Sequence, residues 1–186
     1  MKGIVFREFI EMVEEHFSPE TADKIISSSN LSTAGAYTTV GTYDHREIIE
    51  LVGHLSKTTG LQPPELLRAF GARLFKRFSE LYPSHFAALH STFDFLRILD
   101  SKIHIEVKKL YPDAELPSFQ HDFPEPDRMI LVYNSRRPFA DLAEGLIGGC
   151  IDHFRETIAL AREDLLCADG TRVRFTLTRQ FHGQPH

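Results

Sequence analysis

The chain has 186 residues, 42% of them hydrophobic, and a formal net charge of −5. That length and apolar content suffice for one buried core, and an acidic balance without a block of like charges excludes a nucleic-acid footprint. Cys150 and Cys167 make neither a disulfide framework nor a Cys-x-x-Cys pair, and charge interrupts Met1–Glu8 where a signal peptide would be apolar. The expectation is a cytoplasmic protein with no membrane span.

Ile4, Val5, Phe9, Ile10, Met12, Val13 and Phe17 recur at helical spacing, so a helix opens almost at residue 2. Ser18-Pro19-Glu20 gives a cap, a proline at the first helical position and an acidic first turn for a second helix ending near Ser29. Residues 30–43, rich in Ser, Thr and Gly, read as a loop. Asp44 caps a third helix, bearing Ile48, Ile49, Leu51, Val52 and Leu55, that stops at Gly60. Pro63-Pro64 opens a fourth, carrying Leu66, Leu67, Phe70, Leu74, Phe75 and Phe78 to Tyr82-Pro83, and a short element follows around Phe86. One helix is predicted from about Ser91 to Tyr111, with Leu96, Leu99, Ile103, Val107 and Leu110 as its apolar stripe.

After Pro112 the period changes. Met129–Tyr133 reads as a strand, with Ser118–Phe123 its partner across Pro124-Glu125-Pro126-Asp127. Helical spacing returns from Phe139 to about Phe154. Two final strands, near Thr157–Glu163 and Arg172–Arg179, meet through Asp169-Gly170; Val173, Phe175 and Leu177 alternate with Arg172, Arg174 and Thr176. Helices in front and hairpins behind imply an α+β fold with an antiparallel sheet.

On an extended strand Tyr133, Ser135 and Arg137 share one face, while Arg136 points away as a solvated charge. Two hydroxyls beside a guanidinium can hold carboxylates or phosphates. His104 lies next to Ile103 on the side of Val107 and Tyr111. Alone, such an imidazole is more often a satisfied core or boundary residue than a ligand. The Tyr-x-Ser-x-Arg strand changes that balance, because a haem needs both an axial imidazole and partners for its propionates.

Together these residues resemble the haem nitric oxide/oxygen binding (H-NOX) family, related to the haem sensor domain of soluble guanylate cyclase. The likeness spans nearly the whole chain: Met1-Lys2-Gly3, the helical front, His104 followed by Pro117, Tyr133/Ser135/Arg137, and Glu144-Gly145-Leu146. It implies one domain, 1–186, with a distal helical subdomain of about 1–62 packed on a proximal α+β subdomain of about 63–186. Haem b (iron protoporphyrin IX) would be buried between them. By the same likeness His104 is the proximal iron ligand, Tyr133, Ser135 and Arg137 bind the propionates, and Pro117 presses on the porphyrin. Without the family, Pro117 reads equally well as an ordinary loop proline.

The family's distal pocket positions fall on Val5, Phe9, Leu74, Phe78, Leu142 and Leu146, all apolar. Oxygen-binding members place a tyrosine where this chain has Leu142, so the implied gases are NO and CO, with little stable oxygenation. The resemblance thus implies a bacterial NO sensor and not an enzyme. In it, NO breaks the iron–His104 bond and alters contact with a histidine kinase of a two-component system or a cyclic-di-GMP enzyme. Two rivals stand beside it. A peroxidase-like haem enzyme would need a distal acid–base pair; a haem-free interaction module would keep His104 as core and Arg137 in salt bridges. Gly145, Gly148 and Gly149 lack the dinucleotide fingerprint and read as close packing against a flat cofactor. Cys150 and His153, three apart on a helix, lack a third ligand, so no zinc is expected. His182 and His186 fall in a frayed tail.

Overall fold

The computed structural model describes residues 1–180; His182 and His186 lie outside them. In chain order the described elements are α1 (Gly3–His16), α2 (Pro19–Ser28), α3 (Arg46–Thr59), α4 (Pro63–Leu81), a short 3-10 turn (Pro83–His85), α5 (Thr92–Ile98), a π-helical turn (Leu99–Ile103) and α6 (His104–Leu110). There follow β1 (Ser118–Glu125), β2 (Arg128–Ser135), α7 (Ala140–Phe154), β3 (Ile158–Leu165) and β4 (Thr171–Arg179). The fold is α+β, as the sequence predicts. Among the described residues no helix is long and apolar enough to cross a membrane.

The 30–43 segment does more than connect. Helix α1 has no side-chain cap, and its first free N–H groups are satisfied from this loop: Gly3 N donates to Gly41 O (2.9 Å) and Ile4 N to Thr39 O (3.1 Å). Tyr37, from the same loop, stacks on Phe6 with ring centroids 4.3 Å apart and donates its hydroxyl to the buried Glu47 of α3 (2.6 Å). A polar composition concealed a packed, hydrogen-bonded segment.

Two apolar clusters organise the chain. The front one gathers Phe6, Phe9, Val13, Ile25, Ile48, Leu51 and Leu55; the back one joins Met129, Leu131, Val173, Phe175 and Leu177 to Ile147, Cys150 and Ile151 of α7. Helix α4 serves both, sending Leu66, Phe70 and Leu74 forward and Phe75 backward. It lies backbone to backbone on α7. A Cβ at Gly145 would stand 2.1 Å from the carbonyl oxygen of Arg68, and one at Gly71 2.4 Å from that of Leu142. Gly145 and Gly149 of α7 are therefore spent against α4 and not against a flat cofactor, whereas a Cβ at Gly148 would meet no atom within 4 Å.

The sheet runs in the order β1-β2-β4-β3, antiparallel throughout. Register pairs Met129 with Leu177, Leu131 with Phe175 and Tyr133 with Val173, so one face of both central strands is buried. Strand β1 continues through Pro124 to Glu125, with a register shift between Asp122 and Glu125, and the predicted turn narrows to Pro126-Asp127. An edge strand tolerates a proline because the missing N–H faces no neighbour.

The single helix predicted over Ser91–Tyr111 is interrupted. Its middle, Leu99–Ile103, takes the wider π pitch, a local insertion common at functional sites. Its stripe is a core face only in part: Leu96 is buried in the back cluster and Leu99 and Ile103 pack against it, while Leu99, Ile103, Val107 and Leu110 line a cavity and α6 is half-buried or exposed along its length.

Candidate functional site

The cavity has a volume of about 670 Å³, within the range of small-molecule and cofactor sites. Both apolar clusters border it. Strand β2 delivers Tyr133 by its alternation with Met129 and Leu131, and its end delivers Ser135 and Arg137 to the same wall. The exposed Arg136 points away, as expected. The hairpin between β3 and β4 fixes that strand end. Gly170 turns there at φ +94°, so close to β2 that a Cβ would lie 2.3 Å from the carbonyl oxygen of Ser135.

At the rim, Ser135 Oγ accepts the backbone N–H of Arg137 (3.0 Å), which turns the chain so that the guanidinium lies over the cavity wall. Arg137 Nη2 donates to Glu115, while its Nε is buried without a partner. A buried guanidinium N–H left unspent is costly, and a carboxylate brought into the cavity would satisfy it. Burial raises the Tyr133 hydroxyl above its ordinary pKa, with Ser135 and Arg137 pulling the other way, so it stays a neutral donor.

His104 opens α6 just after the π turn and faces the cavity. Its Nδ1 lies 2.7 Å from Asp100 Oδ1, and Asp100 Oδ2 accepts the backbone N–H of Phe119 (2.6 Å). Burial pushes the imidazole below its ordinary pKa, against the opposing pull of Asp100. A neutral ring that donates from Nδ1 to a carboxylate keeps its lone pair on Nε2. Carboxylate, imidazole and free Nε2 make up the outer support typical of a metal-binding histidine. Asp100 was missed in the sequence, although its position four residues before His104 on a predicted helix was a usable signal.

Pro117 and Leu116 line the cavity from the segment before β1, and Val5, Leu74, Phe78, Leu142 and Leu146 form much of its apolar side. Phe9 stands apart from these. It is fully buried behind the wall, edge-on to Phe70 with centroids 5.1 Å apart. The wall also carries Tyr43, His45, Tyr82 and His85, none of which the sequence marked out. Cys150 is fully buried, its thiol pushed up by burial, and His153 packs among Phe75, Phe86 and Phe154.

A bare imidazole nitrogen, an unspent guanidinium donor and apolar walls together suit a flat, largely apolar cofactor that carries a metal and carboxylates. The family model described as haem-NO-binding matches residues 2–162, and the chain belongs to this haem-NO-binding, or H-NOX, family of gas-sensing haem domains. Among solved structures it is similar to the Fe(II) unliganded H-NOX protein from K. algicida, at 33% identity over 100% of both chains with a TM-score of 0.91. It is also similar to the IWP-051-bound H-NOX from Shewanella woodyi in the Fe(II)CO state, at 40% identity over 100% of this chain and 97% of that one, TM-score 0.85. The fold is shared as well by an H-NOX protein from S. oneidensis in the Fe(II)NO state, at 21% identity over 97% and 100% of the two chains, TM-score 0.88. Comparison with curated proteins gave no match.

Proposed function

We propose that this chain is a haem-based nitric oxide sensor in which His104 Nε2 holds the iron of haem b and Tyr133, Ser135 and Arg137 hold its propionates. The observation that carries the reading is the Asp100–His104 pair, which sets a bare Nε2 on a cavity whose rim carries an unspent Arg137 donor. When bound, the haem would supply a ferrous iron as the NO-binding centre, with His104 as its protein ligand. Pro117 bears on the macrocycle from the connector side, and Val5, Leu74, Phe78, Leu142 and Leu146 exclude water from the gas side. These five offer no hydrogen-bond donor to bound oxygen, which favours NO and CO over a stable oxygen complex.

Were NO to displace His104 from the iron, the imidazole would remain tied to Asp100 and α6 would be free to shift against the front helices of the distal part, about residues 1–62. A separate histidine kinase or cyclic-di-GMP enzyme in the cytoplasm reads the difference between the two arrangements. The structures of relatives in Fe(II)CO and Fe(II)NO states support the gas assignment.

The test is spectroscopic. The reduced protein should show a five-coordinate ferrous haem that remains five-coordinate with NO and does not change on mixing with air. A stable oxygen spectrum overturns the gas assignment. His104→Gly should lose haem, and unaltered haem binding by that variant overturns the ligand assignment.

A further inference from the structure

Between α6 and β1 the chain runs from Tyr111 to Pro117, from the helix of His104 to the strand of Phe119. Two acidic side chains of this connector reach across the cavity mouth in different directions. Asp113 pairs with Lys2 (2.9 Å) and accepts the hydroxyl of Thr42 (2.6 Å), where Lys2 and Thr42 themselves form an isolated β-bridge. The Lys2 ammonium also sits 4.9 Å from the centroid of the Tyr111 ring. Glu115 takes the Arg137 guanidinium at the end of β2. Between these ties and β1, Leu116 and Pro117 line the cavity.

All four side chains line the cavity, but the two cations are set deeper than the two anions. Side-chain exposure is 14% for Lys2 and 15% for Arg137, against 55% for Asp113 and 74% for Glu115. Hydrogen bonds from Thr42 and Lys2 pull the Asp113 carboxyl down to about 2, and Arg137 holds Glu115 below its usual range, so both stay ionised near neutrality. Arg137 can serve Glu115 through Nη2 and a cofactor carboxylate through the unpartnered Nε together, because a guanidinium carries five N–H donors.

We infer that Asp113 and Glu115 are positioning residues that clasp the 111–117 connector across the cavity mouth, hold Leu116 and Pro117 against the bound cofactor and slow its escape. The inference rests on the haem reading above. Because one partner of each pair is exposed, the clasp is weakened by salt.

Transfer of haem from the loaded protein to excess apo-globin, followed by Soret absorbance, measures retention. At low salt Asp113→Asn and Glu115→Gln should each lose haem about two- to fivefold faster than the wild type, the span of one partly screened ion pair. Raising the salt should bring the wild type toward the variants. Asp113→Lys and Lys2→Glu should each accelerate loss, and their combination should restore retention, which a steric role of the connector would not do. Amide exchange across residues 111–117 in the same variants should quicken in step. A double variant, Asp113→Asn with Glu115→Gln, that matches the wild type in both haem loss and exchange overturns the clasp. A wild type that takes up no haem overturns the cofactor reading instead, and the exchange rates then decide the clasp alone.

Discussion

Replacing Asp100 by asparagine keeps its shape and removes its charge. In the wild type its two carboxylate oxygens serve two donors, Nδ1 of His104 at 2.7 Å and the Phe119 N–H at 2.6 Å. An amide has one acceptor oxygen for both. The backbone N–H cannot relocate its proton, so the amide oxygen stays with Phe119 and the NH2 turns to His104. The imidazole can accept that bond only as the tautomer protonated on Nε2, which has no lone pair for iron.

Exchanging two charge-assisted hydrogen bonds for neutral ones should cost the cofactor-free fold about 1–2 kcal/mol. Haem affinity should fall further, by about 10- to 100-fold, the usual effect of losing the outer partner of a metal-bound histidine, equal to roughly 1.4–2.7 kcal/mol. Asp100 is 36% exposed, which favours the lower end. Urea denaturation of the haem-free protein beside haem titration separates the two effects. Unchanged affinity with an unchanged ferrous spectrum refutes the tautomer argument. A loss of haem matched by an equal loss of stability shows that Asp100 acts only by fastening α6 to β1.

Gly145→Ala forces a Cβ to within 2.1 Å of the Arg68 carbonyl oxygen and should destabilise the fold by about 3 kcal/mol or more. Gly148→Ala, whose Cβ meets no atom within 4 Å, should instead stabilise α7 by up to about 1 kcal/mol, and urea midpoints of the pair check both signs. Leu142→Tyr adds a hydroxyl to the gas side and should give an oxygen complex that persists after mixing with air; a spectrum identical to the wild type's counts against Leu142 as the selectivity position. Burial first, then Arg137, holds the His45 imidazole below its ordinary value. Between that lowered value and about 6.5 the unfolded chain binds more protons than the native one, so stability rises with pH across this window and is lost on acidification. His45→Gln should flatten that part of the stability profile, and an unchanged profile sinks the assignment.

Helix positions were legible because apolar spacing and terminal signals agreed, as at Ser18-Pro19, where Ser18 Oγ accepts the Thr21 N–H (3.1 Å), and at Gly60, which ends α3 at φ +79°. The Tyr133, Ser135 and Arg137 face was legible because strand alternation is strict. What stayed hidden came from contacts remote in sequence. Tyr37 looked like part of a polar loop because its partners, Phe6 and Glu47, lie in separate helices. The stripe from Leu99 to Leu110 has the same period whether it faces a core or a cavity, so periodicity alone could not distinguish wall from interior. Phe9 shares the apolar character of the wall residues, and only packing shows that it stands behind them.

The π turn at Leu99–Ile103 amounts to a helix with one residue in excess. Each residue of an α-helix advances about 100° around the axis, so deleting one residue within this turn would join α5 to α6 in a regular helix. The wider pitch absorbs that extra residue within the turn, so α6 would keep nearly its present bearing, and what would change is the spacing between Asp100 and His104. Composition, hydropathy and both apolar clusters would be almost untouched. The extra residue thus acts as a spacer between a carboxylate and an imidazole, and a homologous chain shorter by that single residue could keep the same core while setting the two apart differently.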